Sequence, residues 1–398
     1  MRAPDPHRPP SAGQLWLCVV LLWLGGIGLR LTILAVPPVI PMISADLNMS
    51  ATEVGVLGGL PAVLFACAAI PGSLLIARFG ALPTLVIGLL TTAVGSALRG
   101  AVPDVMLLFA ATVVTAFGVA VMQPALPPLV RAWLPHRIGF GTAVYTNGLL
   151  VGEIIPVALT ALAVLPLLGN SWRWNFVAWA VPAAVIGALI LALSPRPGLM
   201  GVTAAPRLWW PNWRDPLIWR LGFMFGSVNA LYFASNTFIP YYFHAVGRDG
   251  LISPALSALN AGQIPASLIL LAVVGTLEHK VWPYIACGVV SIACVAGIAL
   301  GGSDALVIGS AGVLGFAAAA GFILLLALPP LLSKPDDVHR TAAAVFTISY
   351  TCAVITPIIS GLVWDFSGVP AVAFIPIGLI AVLVIVFAPT ISVPTDME

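Results

Sequence analysis

Runs of about 20 apolar residues, the length a helix needs to cross a bilayer, follow one another along this chain with short polar breaks. They predict twelve spanning helices, over 15–44, 52–77, 83–102, 105–131, 139–166, 172–193, 216–245, 252–276, 282–302, 305–332, 339–366 and 368–389, numbered spans 1–12 below. The stretch 194–215 (SPRPGLMGVTAAPRLWWPNWRD) is the one long polar interruption. It divides the spans into two sets of six, a bundle over 14–193 and a bundle over 216–389, with tails at 1–13 and 390–398. The first apolar run lacks a small-residue cleavage site after it, so it reads as a span and not as a signal peptide.

The two sets are versions of one another. Ala125-Leu126-Pro127-Pro128-Leu129, His136-Arg137 and Ala143-Val144-Tyr145-Thr146 recur as Ala327-Leu328-Pro329-Pro330-Leu331, His339-Arg340 and Ala344-Val345-Phe346-Thr347, at offsets of 201 to 203. Gly58-Gly59-Leu60-Pro61-Ala62 matches Gly262-Gln263-Ile264-Pro265-Ala266 at 204. Leu29-Arg30 with Pro38 matches, more weakly, Leu231-Tyr232 with Pro240 at 202. Six helices separate the copies, an even number, so the halves keep one orientation and are related by an axis along the membrane normal. The fold class expected is an all-α membrane protein: twelve transmembrane helices in two parallel six-helix repeats.

Composition agrees with lipid as the outer solvent. The chain is 60% hydrophobic and 8% charged, against about 25% charged in a soluble domain. The net charge of +2 gives no reason to expect nucleic acid as a partner. Of the sixteen basic residues, twelve fall on the side of the N-terminus by this count, three (Arg99, Arg173, Arg248) near the other, and Arg30 inside a span. That bias places both termini in the cytoplasm. Trp209, Trp210 and Trp213 interleave with Arg207 and Arg214 in the linker, as a segment lying in the interface would. The five cysteines all lie in apolar runs without paired spacing, and no His falls in a span core, so neither a disulfide framework nor a metal site is expected.

With so little polarity, each polar group inside a span carries weight. Arg30 lies midway along span 1, where insertion of an Arg costs roughly 2.5–3.5 kcal/mol. It has to face the bundle and find a partner. On a regular helix Trp23, Gly26 and Pro37 share its face, and the small residue leaves room beside the guanidinium. A planar fork of donors in a dry cavity suits a carboxylate or another small planar anion. The alternative is a structural Arg, paired with Glu153 or with carbonyls at a broken helix. Glu153 is the one acid near the middle of a span, on the face of Thr142 and Thr146; its second-half counterpart is Val354. A proton-coupling site and a fixed ion pair to Arg30 both fit it.

Span 7 carries Asn229, Tyr232 and Asn236 at i, i+3 and i+7, a polar stripe that reads either as cavity lining or as interhelical bonding. The alignment sets Tyr232 opposite Arg30. Asn260 and Gln263 in span 8 make a weaker version, and Tyr145, Phe346 and Tyr350 are aromatic candidates in the duplicated segments. His136-Arg137 and His339-Arg340 are assigned a structural job at helix ends. Arg99, near the end of span 3, is expected to snorkel to the interface.

The twelve spans, the two parallel repeats, the central linker and the 2–3 loop Gly72-Ser73-Leu74-Leu75-Ile76-Ala77-Arg78-Phe79-Gly80 together resemble a major facilitator superfamily transporter. Arg78 and Gly80 match the loop pattern, whereas Ala77 stands where that pattern has Asp. Leu29-Arg30 before a proline-rich end of span 1, and the short loop Ala77-Arg78-Phe79-Gly80, are similar to the cyanate/nitroimidazole-transporter-like branch. The resemblance implies alternating access, a site lined by spans 1, 4, 7 and 10 with 2, 5, 8 and 11, and small anions or small polar compounds as cargo.

The leading expectation is a secondary transporter of a small organic or inorganic anion in an inner membrane, coupled to protons. It acts as a monomer, with substrate, protons and lipid as partners and no cofactor. Arg30 holds the anionic group, Tyr232, Asn236, Asn229, Asn260, Gln263, Tyr145, Phe346 and Tyr350 line the site, and Glu153 handles the proton. No nucleotide-binding motif is present to make ATP the driver. An exporter of drug-like or toxic compounds on the same fold is the alternative. An intramembrane enzyme would need a convergent acid, base or metal set, which one Glu and one Arg do not supply.

Overall fold

The computed structural model describes residues 12–49, 51–195 and 208–391. Most of the tails expected at 1–13 and 390–398, and the middle of the linker, lie outside the described residues. Among the described residues, twelve helices are long and apolar enough to cross a membrane: Gly13–Val39, Val56–Phe79, Ala81–Ala101, Val105–Trp133, Ile138–Leu159, Trp172–Leu193, Pro216–Phe243, Pro254–Leu277, Trp282–Leu300, Asp304–Leu332, Pro335–Ser367 and Pro370–Thr390. Each coincides with one of the twelve apolar runs, so the all-α membrane fold is as the sequence indicates.

The starts and stops have local causes. Asp104 caps span 4 by accepting from the Leu107 N–H at 2.9 Å, and Ser171 caps span 6 by accepting from Trp174 N–H at 3.4 Å. Both satisfy donors that a helix start leaves without partners. Span 2 stops at Gly80, whose φ of 91° is open to glycine without strain. Most in-span prolines bend a helix without ending it; Pro61, Pro71, Pro156 and Pro357 all lie within continuous helix. Span 4 passes through a 3₁₀ turn at Gln123–Ala125 and span 8 is divided at Gly262, and span 1 is broken more extensively. Its helix Ala12–Gly28 stops, a four-residue helix Leu31–Leu34 follows, and a 3₁₀ turn Pro37–Val39 leads into Ile40–Leu47.

The chain forms two compact units. The first runs through Pro211 and also takes in Ser333–Ala343; the second comprises Asn212–Leu332 and the chain from Ala344 on. The junction of spans 10 and 11 therefore goes with the first unit, and the hydrogen bonds say why. Arg131 donates to the Ser333 carbonyl, the His339 ring bonds the Leu208 carbonyl at 2.8 Å, and Arg340 pairs with Asp337 at 2.8 Å. Ser73 of span 2 donates to the Trp209 carbonyl at 2.6 Å, which pins the end of the linker to the same unit.

Within the first unit, spans 1 and 5 touch backbone to backbone. A Cβ on Gly26 would stand 1.9 Å from the Tyr145 carbonyl oxygen, one on Gly148 2.2 Å from that of Trp23, and one on Gly152 2.5 Å from that of Ile27. Small residues let membrane helices approach this closely, and no other residue type fits there.

Candidate functional site

In the first unit, the break in span 1 presents Arg30. It is the N-cap of Leu31–Leu34, with φ −123° and ψ −26°, so it leaves the regular face that a straight helix would give it. Its Nε donates to Glu153 Oε1 at 3.1 Å, and its Cζ lies 5.5 Å from the ring centroid of Phe65 on span 2. The Arg30 side chain is 7% exposed and that of Glu153 23%. The pairing of Arg30 with Glu153, an alternative the sequence left open, is present in a setting walled on one side by an aromatic face. About two turns away, Trp23 Nε1 donates to Asn147 Oδ1 at 3.0 Å, again from span 1 to span 5.

Gly26 does not leave room beside the guanidinium, contrary to the sequence reading. Its missing side chain is used to admit the backbone of span 5 at Tyr145. The straight-helix argument fails because span 1 breaks between Gly26 and Pro37. The same glycines bring Glu153, one residue past Gly152, within reach of Arg30.

Arg99 does not snorkel. It is fully buried, Nη2 donates to the Thr32 carbonyl at 2.7 Å and to Ser96 Oγ at 3.2 Å, and Cζ lies 4.5 Å from the Phe176 ring centroid. The reason is a carbonyl set free within span 1, which outbids the interface for the guanidinium. The other two basic residues assigned to that side are paired, Arg173 with Asp46 at 2.9 Å and Arg248 with Asp304 at 2.7 Å.

In the second unit, four candidates form one neutral network. Tyr232 Oη donates to Asn260 Oδ1 at 2.7 Å, and Gln263 Nε2 donates to the same oxygen at 3.4 Å. Asn260 Nδ2 donates to Asn236 Oδ1 at 3.2 Å, and Asn236 Nδ2 to the Tyr232 carbonyl at 2.9 Å. Asn260 is exposed and the others half-buried. Asn229 is elsewhere: it is buried and donates to Ser349 Oγ on span 11 at 3.1 Å, the interhelical role left open by its sequence. Phe346 is buried, its ring edge-on to Phe225 at 5.7 Å, and Tyr350 is buried on the same span. Tyr145 is buried in the first unit with its hydroxyl unpartnered.

Sequence reasoning missed Phe65, Arg99 and the glycine seam. Only the seam carried a signal: Gly148 and Gly152 are four apart on span 5, the small-xxx-small spacing of close helix pairs. The first unit holds a buried ion pair, and the second a separate set of uncharged donors and acceptors. Among the described residues there is no group of three or more His, Cys, Asp or Glu to hold a metal.

Twelve spans with these few polar groups among them set the class: a multi-pass membrane protein. The sequence matches the Major Facilitator Superfamily over residues 22–307, and the chain belongs to that family. It is similar to the cyanate transport protein CynX of Escherichia coli, 24% identical over 256 residues, 63% of this chain and 65% of that protein; the match thus spans slightly less than two thirds of that relative. It is also similar to the 2-nitroimidazole transporter of Escherichia coli, 26% identical over 373 residues, 90% of this chain and 91% of that one. Among solved structures it resembles the proton:xylose symporter XylE with a TM-score of 0.77 at 12% identity, covering 98% of both chains. That likeness establishes the fold.

Proposed function

We propose that this protein moves a small organic or inorganic anion by alternating access, with proton coupling, across a bacterial-type inner membrane. The observation that carries the reading is the Arg30–Glu153 pair at the break in span 1. A buried guanidinium needs a counter-charge. Glu153 supplies it while the site is empty, and an incoming carboxylate-like or linear anion replaces it. Glu153, displaced, takes a proton, so that the anion and the proton cross together and the loaded site stays neutral. In the second unit, Tyr232, Asn236, Asn260 and Gln263 supply uncharged donors and acceptors for polar groups of a cargo, and Asn229, Phe346 and Tyr350 there, like Tyr145 in the first unit, shape the bundle around such groups. The relative named for cyanate supports a small anion. The charge bias of the loops supports cytoplasmic termini, and the protein acts as a monomer in lipid.

The test is counterflow in proteoliposomes against small carboxylates, cyanate, nitrate and neutral analogues, with and without a pH gradient. Arg30→Ala abolishes transport and Arg30→Lys retains little. Glu153→Gln keeps counterflow but loses accumulation driven by the gradient. Normal uptake by Arg30→Ala rejects the anion site.

A second reading, proton-driven export of drug-like or toxic molecules, is favoured by the relative named for 2-nitroimidazole, which matches over 90% of this chain. Comparing the toxicity of a compound panel in cells with and without the gene separates the two.

A further inference from the structure

The break in span 1 releases carbonyls, and two buried side chains from other spans collect them. Pro37 has no N–H to offer the Ile33 carbonyl. That carbonyl instead takes the N–H of Val36 at 3.3 Å, which in a regular helix would serve Thr32. The Thr32 carbonyl is thereby freed, and Arg99 Nη2 of span 3 donates to it at 2.7 Å. One turn on, the Val39 N–H goes to Val36 at 3.0 Å, which frees the Ala35 carbonyl. Asn175 Nδ2 of span 6 donates to that one at 3.2 Å.

Both collectors are themselves fixed. Arg99 lies against the face of Phe176 and touches Ser96 Oγ. Asn175 Oδ1 accepts from Thr160 Oγ1 at 3.3 Å, and Thr160 Oγ1 accepts from Trp179 Nε1 at 2.9 Å. Arg99 and Asn175 are fully buried, and no ion pair of Arg99 occurs among the described residues. A charged side chain held out of water without a carboxylate costs free energy, and its recorded hydrogen bonds are spent on Ser96 and one main-chain atom of span 1. That atom lies in the four-residue helix whose first flanking residue is Arg30.

We propose that Arg99 and Asn175 are positioning residues: they tie the helix Leu31–Leu34 to spans 3 and 6 and so fix the direction in which Arg30 meets its anion. This rests on the anion-binding reading of Arg30 given above. Four residues cannot hold themselves as a helix, so the main chain that carries the guanidinium depends on these two hydrogen bonds, while Glu153 and Phe65 hold its tip. Neither residue touches the cargo.

The experiment uses the full chain, purified and reconstituted, with hydrogen exchange on 29–39 and counterflow of cyanate, nitrate and acetate measured side by side. Arg99→Met and Asn175→Ala speed amide exchange in 31–36 by about tenfold or more. They raise the half-saturation concentration for the transported anion about tenfold, the size of one lost hydrogen bond to or from a charged group, with a smaller change in maximal rate. Arg99→Lys, which keeps a cationic donor, recovers part of both effects. Asn175→Ala covers the case in which Arg99→Met does not fold. Unchanged exchange in the folded variants overturns the positioning role. Faster exchange with an unchanged half-saturation concentration overturns its link to Arg30. Normal transport by Arg30→Ala, run alongside, sinks the anion site instead and leaves the exchange measurement to judge the tie on its own.

Discussion

Arg30 and Glu153 come from spans 1 and 5 and meet at 3.1 Å with the guanidinium nearly sealed, at 7% exposure, and the carboxylate open at 23%. The asymmetry matters for what each substitution does. Removing Glu153 leaves a buried cation, whereas removing Arg30 leaves a carboxylate with some access to water. Breaking the pair from the Glu153 side therefore costs more, about 3 kcal/mol, than from the Arg30 side. The uncharged double variant Arg30→Gln/Glu153→Gln costs on the order of 1 kcal/mol, because no charge is stranded. Thermal unfolding of the four proteins in detergent checks the order. Additive losses would mean that the two side chains do not act as a pair.

The approach of spans 1 and 5 sets that distance. Gly26→Ala puts a methyl 1.9 Å from the Tyr145 carbonyl oxygen, which only separation of the two backbones relieves. Overpacking of this kind costs about 1–3 kcal/mol, and here it also pulls Glu153 away from Arg30. Gly58→Ala is the comparison, since a Cβ there meets nothing within 4 Å. Gly26→Ala lowers the melting temperature and slows transport, while Gly58→Ala leaves both near wild type. Equal behaviour of the two would refute the seam.

Asn260 is the hub of the second unit's polar network, accepting from Tyr232 and Gln263 and donating to Asn236. Because Asn260 is exposed, water replaces what is lost, and stability changes by less than about 0.6 kcal/mol. Binding responds more. Asn260→Ala releases three side chains at once and raises the half-saturation concentration more than Tyr232→Phe, which removes one hydroxyl. Saturation curves for the two variants, with the anion found in counterflow, test the order. The reverse order would make the Tyr232 hydroxyl, and not the hub, the contacting group.

The spans were legible because lipid demands continuous apolar runs, and no tertiary information is needed to see them. Arg30 and Glu153 were legible for the complementary reason: charges inside an apolar run stand out, though the sequence left open whether they pair. Arg99 was not. From sequence a cation near a span end looks like a snorkelling side chain, and its real attachment is to the main-chain oxygen of Thr32, 67 residues earlier, released at the break in span 1. Gly26 was misread because its face was computed on a helix that does not continue. Phe65 was invisible as one of 17 phenylalanines in an apolar chain. Side-chain chemistry reads out of sequence where it is scarce; backbone breaks and close approaches read out only once the helices are in place.

Glu278, just beyond span 8, gives the protein a stability that depends on pH. Its side chain is 5% exposed, Oε1 lies 3.6 Å from His279 Nε2, and Oε2 has no hydrogen-bond partner. Burial raises the carboxyl from its ordinary range to about 7, against about 4.3 when unfolded. Between these values the folded state binds the proton that the unfolded state has released. The contribution of Glu278 to stability is thus complete below the unfolded value and is lost as pH rises through about 7. Glu278→Gln, which cannot ionise, removes that slope. At pH 5 the variant and the wild type melt close together, and at pH 8 the variant melts higher. Parallel melting curves across that range would place the Glu278 carboxyl in contact with water, contrary to its burial here.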